Sequence, residues 1–229
     1  MKRYVVATIK RWNIKAFEEI ISKFEGEWYL ITEPNDLSLD KLQDINPRYI
    51  FFPHWSEKVS NDIIKAYECV GFHETDLPFG RGGSPIQNMI ARGYRETVIT
   101  AFRMTDGLDD GPIYLKRKLC LEGLAEEIYI RASKIIAEMI KFIIKNEPQP
   151  VPQSGDVVVF KRREPEESNI ASSMDASKNL EDMFDFIRML DADTYPKAFI
   201  EVNGFRFEFS RPALRTGYIE ADVKITKIG

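Results

Sequence analysis

The chain has two histidines, His54 and His73, and imidazole is the side chain best suited to take up and release protons. Each stands where an apolar run stops: "RYIFFPH" ends on His54, and "CVGFHE" carries His73. Directly after His73 comes "TDLPFGRGGSP", a Pro- and Gly-rich loop that offers backbone N–H groups and one guanidinium, Arg81. Further along, "DGLDDG" (106–111) crowds Asp106, Asp109 and Asp110 into one turn. An imidazole beside a carboxylate is a general acid–base pair, because the carboxylate orients the ring and favours its protonated form. A histidine alone reads as a packed structural residue, and an acidic Gly-rich turn alone as a hairpin loop. Their company changes that reading.

The elements around them decide whether they meet. "RYVVATI" (3–9), "WYLIT" (28–32), "RYIFFPH" (48–54) and "CVGFHE" (69–74) have the β-branched or continuous apolar character of strands. Between them, residues 13–24, 38–45 and 56–67 have helical spacing, with Ser38 as an N-cap. Strands alternating with helices imply a mostly parallel sheet covered on both faces. Ligands bind such sheets beyond the carboxyl ends of strands, where both histidines fall. Residues 84–93 read as a helix with Ser84 as N-cap and Pro85 in its first turn. Strands at 97–105 and 112–121 flank the acidic turn, and 125–145 is a long amphipathic helix. "NEPQPVPQSGD" (146–156) reads as a linker. Beyond it, a helix at 179–190 and alternating strands around the Asn-Gly turn in "VNGF" predict a small antiparallel β module. The expected organisation is therefore an α/β domain, 1–150, and a small C-terminal module, 151–229.

Composition narrows the function classes. The chain has 229 residues, 44% hydrophobic and 30% charged, with a formal net charge of -4. That balance argues against general nucleic-acid affinity, which needs clustered Lys and Arg. Cys69 and Cys120 are far apart and form no CxxC pair, so neither a disulfide framework nor a cysteine zinc site is expected. No apolar run has the length of a membrane span, and the N-terminus lacks the pattern of a signal peptide. The expectation is a cytoplasmic protein without metal. The first strand-to-helix turn, "ATIKRWN", has none of the glycines a dinucleotide pyrophosphate requires, and no P-loop or HExxH motif occurs.

Taken together, "GFHETDLPFGRGGSPIQ" and "GLDDG" resemble the signature of the 10-formyltetrahydrofolate-dependent formyltransferase family. That signature is Asn-x-His, Leu-Pro, Arg-Gly, Pro, and then Leu-Asp-x-Gly, in this order. The C-terminal stretch is similar to the small barrel-like, OB-like domain of the methionyl-tRNA formyltransferase and UDP-4-amino-arabinose formyltransferase branch. The resemblance implies a Rossmann-like catalytic domain, His73 and Asp109 as catalytic residues, and 10-formyltetrahydrofolate as co-substrate. It implies a folate site at Thr105, Asp106, Gly107, Leu108 and Asp110, with Leu77 and Pro78. The family's catalytic asparagine falls on Gly71. His54 is the favoured replacement for its hydrogen bond, with Asn88 and Thr75 as other candidates.

The acceptor is read from charge. From 151 to 229 there are 11 basic and 14 acidic residues, a net of -3. The basic loop that the tRNA enzyme carries after its second strand is here only "EPNDLS". Both features favour a nucleotide-linked amino sugar over tRNA. Lys10, Trp12, Arg81, Gly82 and Asn88 are the expected substrate contacts, with Lys10 and Arg81 meeting phosphate and Trp12 stacking on a base. The alternatives are methionyl-tRNA formyltransferase and a folate- or sugar-nucleotide-binding homologue impaired in catalysis. A homodimer is compatible with the chain.

Overall fold

The computed structural model describes residues 1–174, 177–193 and 195–229. The chain forms two compact units, 1–82 with 97–119 and 129–159, and 83–96 with 120–128 and 160–229.

The first unit is built on a six-stranded sheet. Its strands are β1 (Arg3–Ala7), β2 (Glu27–Ile31), β3 (Tyr49–Phe52), β4 (Cys69–His73), β6 (Glu96–Arg103) and β7 (Ile113–Cys120). Their order is β2-β1-β3-β4-β6-β7. The first four pair in parallel and β6 runs antiparallel to β4, the mostly parallel α/β sheet expected from alternation. The continuous apolar run of β3 is buried at every residue, as a strand covered on both faces must be. Helices α1 (Arg11–Glu19), α2 (Leu39–Ile45) and α3 (Asn61–Ala66) fill the connections. Ser38 caps α2 by accepting from the Lys41 N–H. The third helix is shorter than its apolar spacing suggests, because Ser60 accepts from the Ile63 N–H and starts it there.

The Gly-rich stretch after His73 holds a short strand, β5 (Phe79–Gly82), where only loop was expected. Gly80 and Gly82 take φ of +75° and +102°, conformations that suit glycine. The strand is possible because a distant partner arrives: the Val158 N–H, opening β8 (Val158–Phe160), donates to the Pro78 carbonyl.

The second unit includes α4 (Pro85–Ala91), α6 (Ile170–Ser173), α7 (Leu180–Arg188) and an antiparallel sheet of three strands. These are β9 (Ala198–Val202), β10 (Phe205–Arg215) and β11 (Tyr218–Lys227), in the order β11-β10-β9. The Asn203-Gly204 turn joins β9 to β10, with φ of +51° and +78°. Ser84 precedes α4 as expected, but its φ is +50° and its side chain does not cap the helix. Its hydroxyl oxygen instead accepts from the Arg163 N–H and the Tyr195 hydroxyl. The long helix α5 spans Ala125–Asn146. No helix among the described residues is long and apolar enough to cross a membrane.

Candidate active site

His73 ends β4 and is buried, with its side chain 8% exposed. Its Nε2 lies 2.7 Å from the Gly80 carbonyl oxygen. A carbonyl only accepts, so Nε2 carries the proton. That fixes the tautomer and turns Nδ1 toward Asp109, whose Oδ2 is 3.7 Å away. Asp109 sits in the β6–β7 connection at φ +47°. Its Oδ2 also accepts from the Gly82 N–H at 2.9 Å. The structure thus brings together the imidazole, the carboxylate and the backbone of the Gly-rich segment.

The turn that carries Asp109 is braced from within. Thr105 Oγ1 donates to Asp110 Oδ1 and accepts from the Gly107 N–H. Gly111 is required: a Cβ there would stand 1.7 Å from the Arg103 carbonyl oxygen. Asp106, Gly107, Leu108 and Asp110 are exposed, Leu108 to 59%. Leu77 and Pro78 are buried and joined by a cis peptide bond.

Two residues that sequence inspection missed complete the surroundings. Gln153, in the stretch read as a linker, donates from Nε2 to the carbonyls of Asp109 (2.8 Å) and Gly111 (2.9 Å). Its Oε1 accepts from Nε and Nη2 of Arg81 at 3.1 and 2.7 Å. Arg81, expected to meet a substrate anion, therefore spends two of its donors on protein. Glu74, next to His73, is 4% exposed. Nothing in its local sequence separates it from a surface acid.

Glu74 explains His54. His54 takes a φ of +48°, and its Nε2 lies 2.7 Å from Glu74 Oε1. Its Nδ1 faces the Trp12 Nε1–H and the Asn13 side-chain amide, each at 2.9 Å. With donors at Nδ1, the ring proton sits on Nε2, toward the carboxylate. Burial alone would raise the pKa of Glu74, but His54, and further off His73, draw it below the ordinary range. Nδ1 of His54 is thus taken up, and Nε2 is buried at ion-pair distance from Glu74 without the alignment of a hydrogen bond, so the ring is enclosed by protein. Trp12 is likewise interior, 6% exposed and stacked on Tyr129 at 4.8 Å with an interplanar angle of 6°. It is packed where base stacking was expected. Lys10 is the residue before α1, and its N–H donates to Thr8 Oγ1.

The other candidates to replace the asparagine are also occupied. The Thr75 hydroxyl donates to the Gly80 carbonyl at 3.3 Å. Asn88 belongs to the second unit, where its amide donates to the carbonyls of Gly83, Ser84 and Lys161. At position 71 itself the space is filled. Gly71 pairs with Phe102 across β4 and β6, and a Cβ would lie 2.8 Å from two atoms of that ring.

The formyl transferase profile matches residues 30–128, and that of the methionyl-tRNA formyltransferase C-terminal domain matches 165–226. A solved structure, methionyl-tRNA formyltransferase from Clostridium thermocellum, is 44% identical and superposes with a TM-score of 0.94. The match covers 99% of this chain and 100% of that one. The chain belongs to the formyltransferase family.

A curated relative of this formyltransferase, methionyl-tRNA formyltransferase from Thermodesulfovibrio yellowstonii, is 26% identical over 170 residues. That stretch is 71% of the chain and 53% of the relative, so the chain spans about half the length of the curated relative. HypX from Aquifex aeolicus, in complex with tetrahydrofolic acid, shares the fold at 16% identity and a TM-score of 0.74, over 92% of this chain and 37% of that one. These matches overturn the amino-sugar reading and the exclusion of tRNA: the likeness that covers the whole chain is to a methionyl-tRNA formyltransferase. The charge count failed for a physical reason. A net charge sums over the whole module and does not report where its Lys and Arg lie, whereas a polyanion is met by a local patch. The missing loop fails too, since the Clostridium thermocellum protein aligns along its entire length with this chain.

Proposed function

We propose that this chain transfers a formyl group from 10-formyltetrahydrofolate to the amino group of methionyl-tRNA, with the unit that carries His73, Asp109 and Gln153 as the catalytic one. The observation that carries the reading is His73 Nδ1 facing Asp109 at 3.7 Å while Nε2 is tied to a carbonyl. The folate supplies an activated one-carbon group. The 105–110 turn, with Leu108 exposed, is the segment proposed to hold it, together with Leu77 and Pro78. His73 accepts the proton of the attacking amine at Nδ1, and Asp109 stabilises the imidazolium as it forms. The same proton then passes from His73 to the departing folate nitrogen. Holding the two substrates in one orientation supplies much of the rate.

Gly71 provides no donor for the negative charge that develops on the formyl oxygen. Losing such a donor costs about 3 kcal/mol of transition-state stabilisation, so a modest turnover rate is expected. Cys69 and Cys120 are not joined by a disulfide, in keeping with the proposed cytoplasmic setting. The test is incubation with 10-formyltetrahydrofolate and charged initiator methionyl-tRNA. Formyl-methionyl-tRNA as product supports the proposal; tight folate binding without any product rejects it.

A further inference from the structure

The segment around Gln153, "QPVPQSG", carries no recognisable motif, yet its amide is the most heavily used side chain near Asp109. We infer that Gln153 is a positioning residue that fixes Asp109 against His73, with Arg81 as its anchor. This rests on the reading of His73 and Asp109 as the reacting pair.

Asp109 holds a left-handed backbone conformation, φ +47°, which is unfavourable for a residue with a Cβ and must be sustained by its neighbours. Two contacts sustain it from β5. The carboxylate is held directly, by the Gly82 N–H at 2.9 Å. The backbone is held indirectly: Gln153 Nε2 donates to the Asp109 and Gly111 carbonyls at 2.8 and 2.9 Å, while Oε1 receives two N–H groups of Arg81. Arg81 and Gly82 are consecutive. The contacts therefore close a ring, from the Asp109 carboxylate through Gly82, Arg81 and Gln153 back to the Asp109 carbonyl. With the ring closed, the carboxylate stays beside Nδ1 of His73. Opened at Gln153, the turn keeps its internal bracing by Thr105 and Asp110 and the single Gly82 N–H on the carboxylate, with its backbone no longer tied to Arg81.

Gln153→Glu isolates this role. A carboxylate of the same shape still accepts from Arg81, but it has no N–H for the two carbonyls and repels them. In this variant, hydrogen exchange at the Gly82 amide should rise about tenfold or more, with Val5 in β1 unchanged. The kcat for formyl transfer should fall about 10- to 100-fold, with KM for either substrate within about twofold. In an Asp109→Asn background the same substitution should change kcat by less than about threefold, because its effect runs through that carboxylate. Unchanged Gly82 exchange overturns the inference, and so do equal losses in the two backgrounds. If the glutamate variant does not fold, Gln153→Met removes the same donors without adding charge and is judged by the same exchange. Should Asp109→Asn alone leave kcat untouched, the catalytic reading fails, while Gly82 exchange still decides whether Gln153 holds the turn.

Discussion

His54 and His73 follow neighbouring parallel strands of one sheet, and both are largely buried. They differ in what remains for chemistry. Around His54 every ring position meets protein: two donors at Nδ1 and the Glu74 carboxylate at Nε2. Around His73 one nitrogen is tied to a carbonyl and the other faces a carboxylate that is itself 23% exposed, at a distance too long for a direct hydrogen bond. A histidine enclosed on both sides, with one nitrogen hydrogen-bonded and the other against a buried carboxylate, is a strut. One satisfied on a single side, with a partly accessible carboxylate opposite, can take up a proton and give it away.

That contrast can be broken by experiment. The largest effect should come from His73→Gln: initial rates of formyl transfer should fall about a thousandfold, with little change in melting temperature. An equal catalytic loss in a folded His54 variant would erase the distinction. His54→Ala should act on stability instead. It strands the Glu74 carboxylate and the buried Trp12 indole N–H, a loss of about 3 kcal/mol in urea unfolding. Turnover per folded molecule should stay within about threefold of the parent. Next comes Asp109→Asn, which keeps the shape and removes the charge opposite Nδ1. Steady-state kinetics should show kcat reduced about a hundredfold; a variant as fast as the parent would detach Asp109 from the reaction.

The smallest effect is a slope with pH. Glu74 is held below its ordinary value of 4.5, so the unfolded chain binds that proton more readily than the folded one. The carboxylate's contribution to stability is present above about pH 4.5 and is lost as pH falls below it. The urea midpoint should therefore drop further between pH 6 and pH 4 in the parent than in Glu74→Gln. Identical slopes would mean that the His54–Glu74 pair contributes nothing to acid sensitivity.

The frame of the molecule was legible in the sequence because periodicity reports burial. The run 48–54 announced a strand covered on both faces, and the alternation of strands and helices announced the parallel sheet. His73 and Asp109 were legible as a pair because two separated motifs agreed. What escaped depends on distant partners. No local signal shows that Gln153 reaches the Asp109 turn, or that Val158 recruits part of a Gly-rich loop into a strand. Trp12 and His54 looked like ligand contacts because a sequence shows that they lie near a rim, but not which way they face. Glu74, Asn13 and Tyr129 turn them inward. The acceptor was misjudged because a sum of charges does not report where on the surface the basic residues lie.

The aromatic ring beside Gly71 gives the site a direction in sequence space. Any larger side chain at 71 meets two Phe102 atoms at 2.8 Å, and Phe102 is only 5% exposed, with little room to retreat. Restoring the amide is therefore a two-step path whose first step, taken at 71 alone, meets a steric barrier. A smaller residue at 102 would have to come first, at the expense of core packing. The pair behaves as a ratchet, and a laboratory lineage selected for faster turnover should find its gains elsewhere before it recovers the lost asparagine.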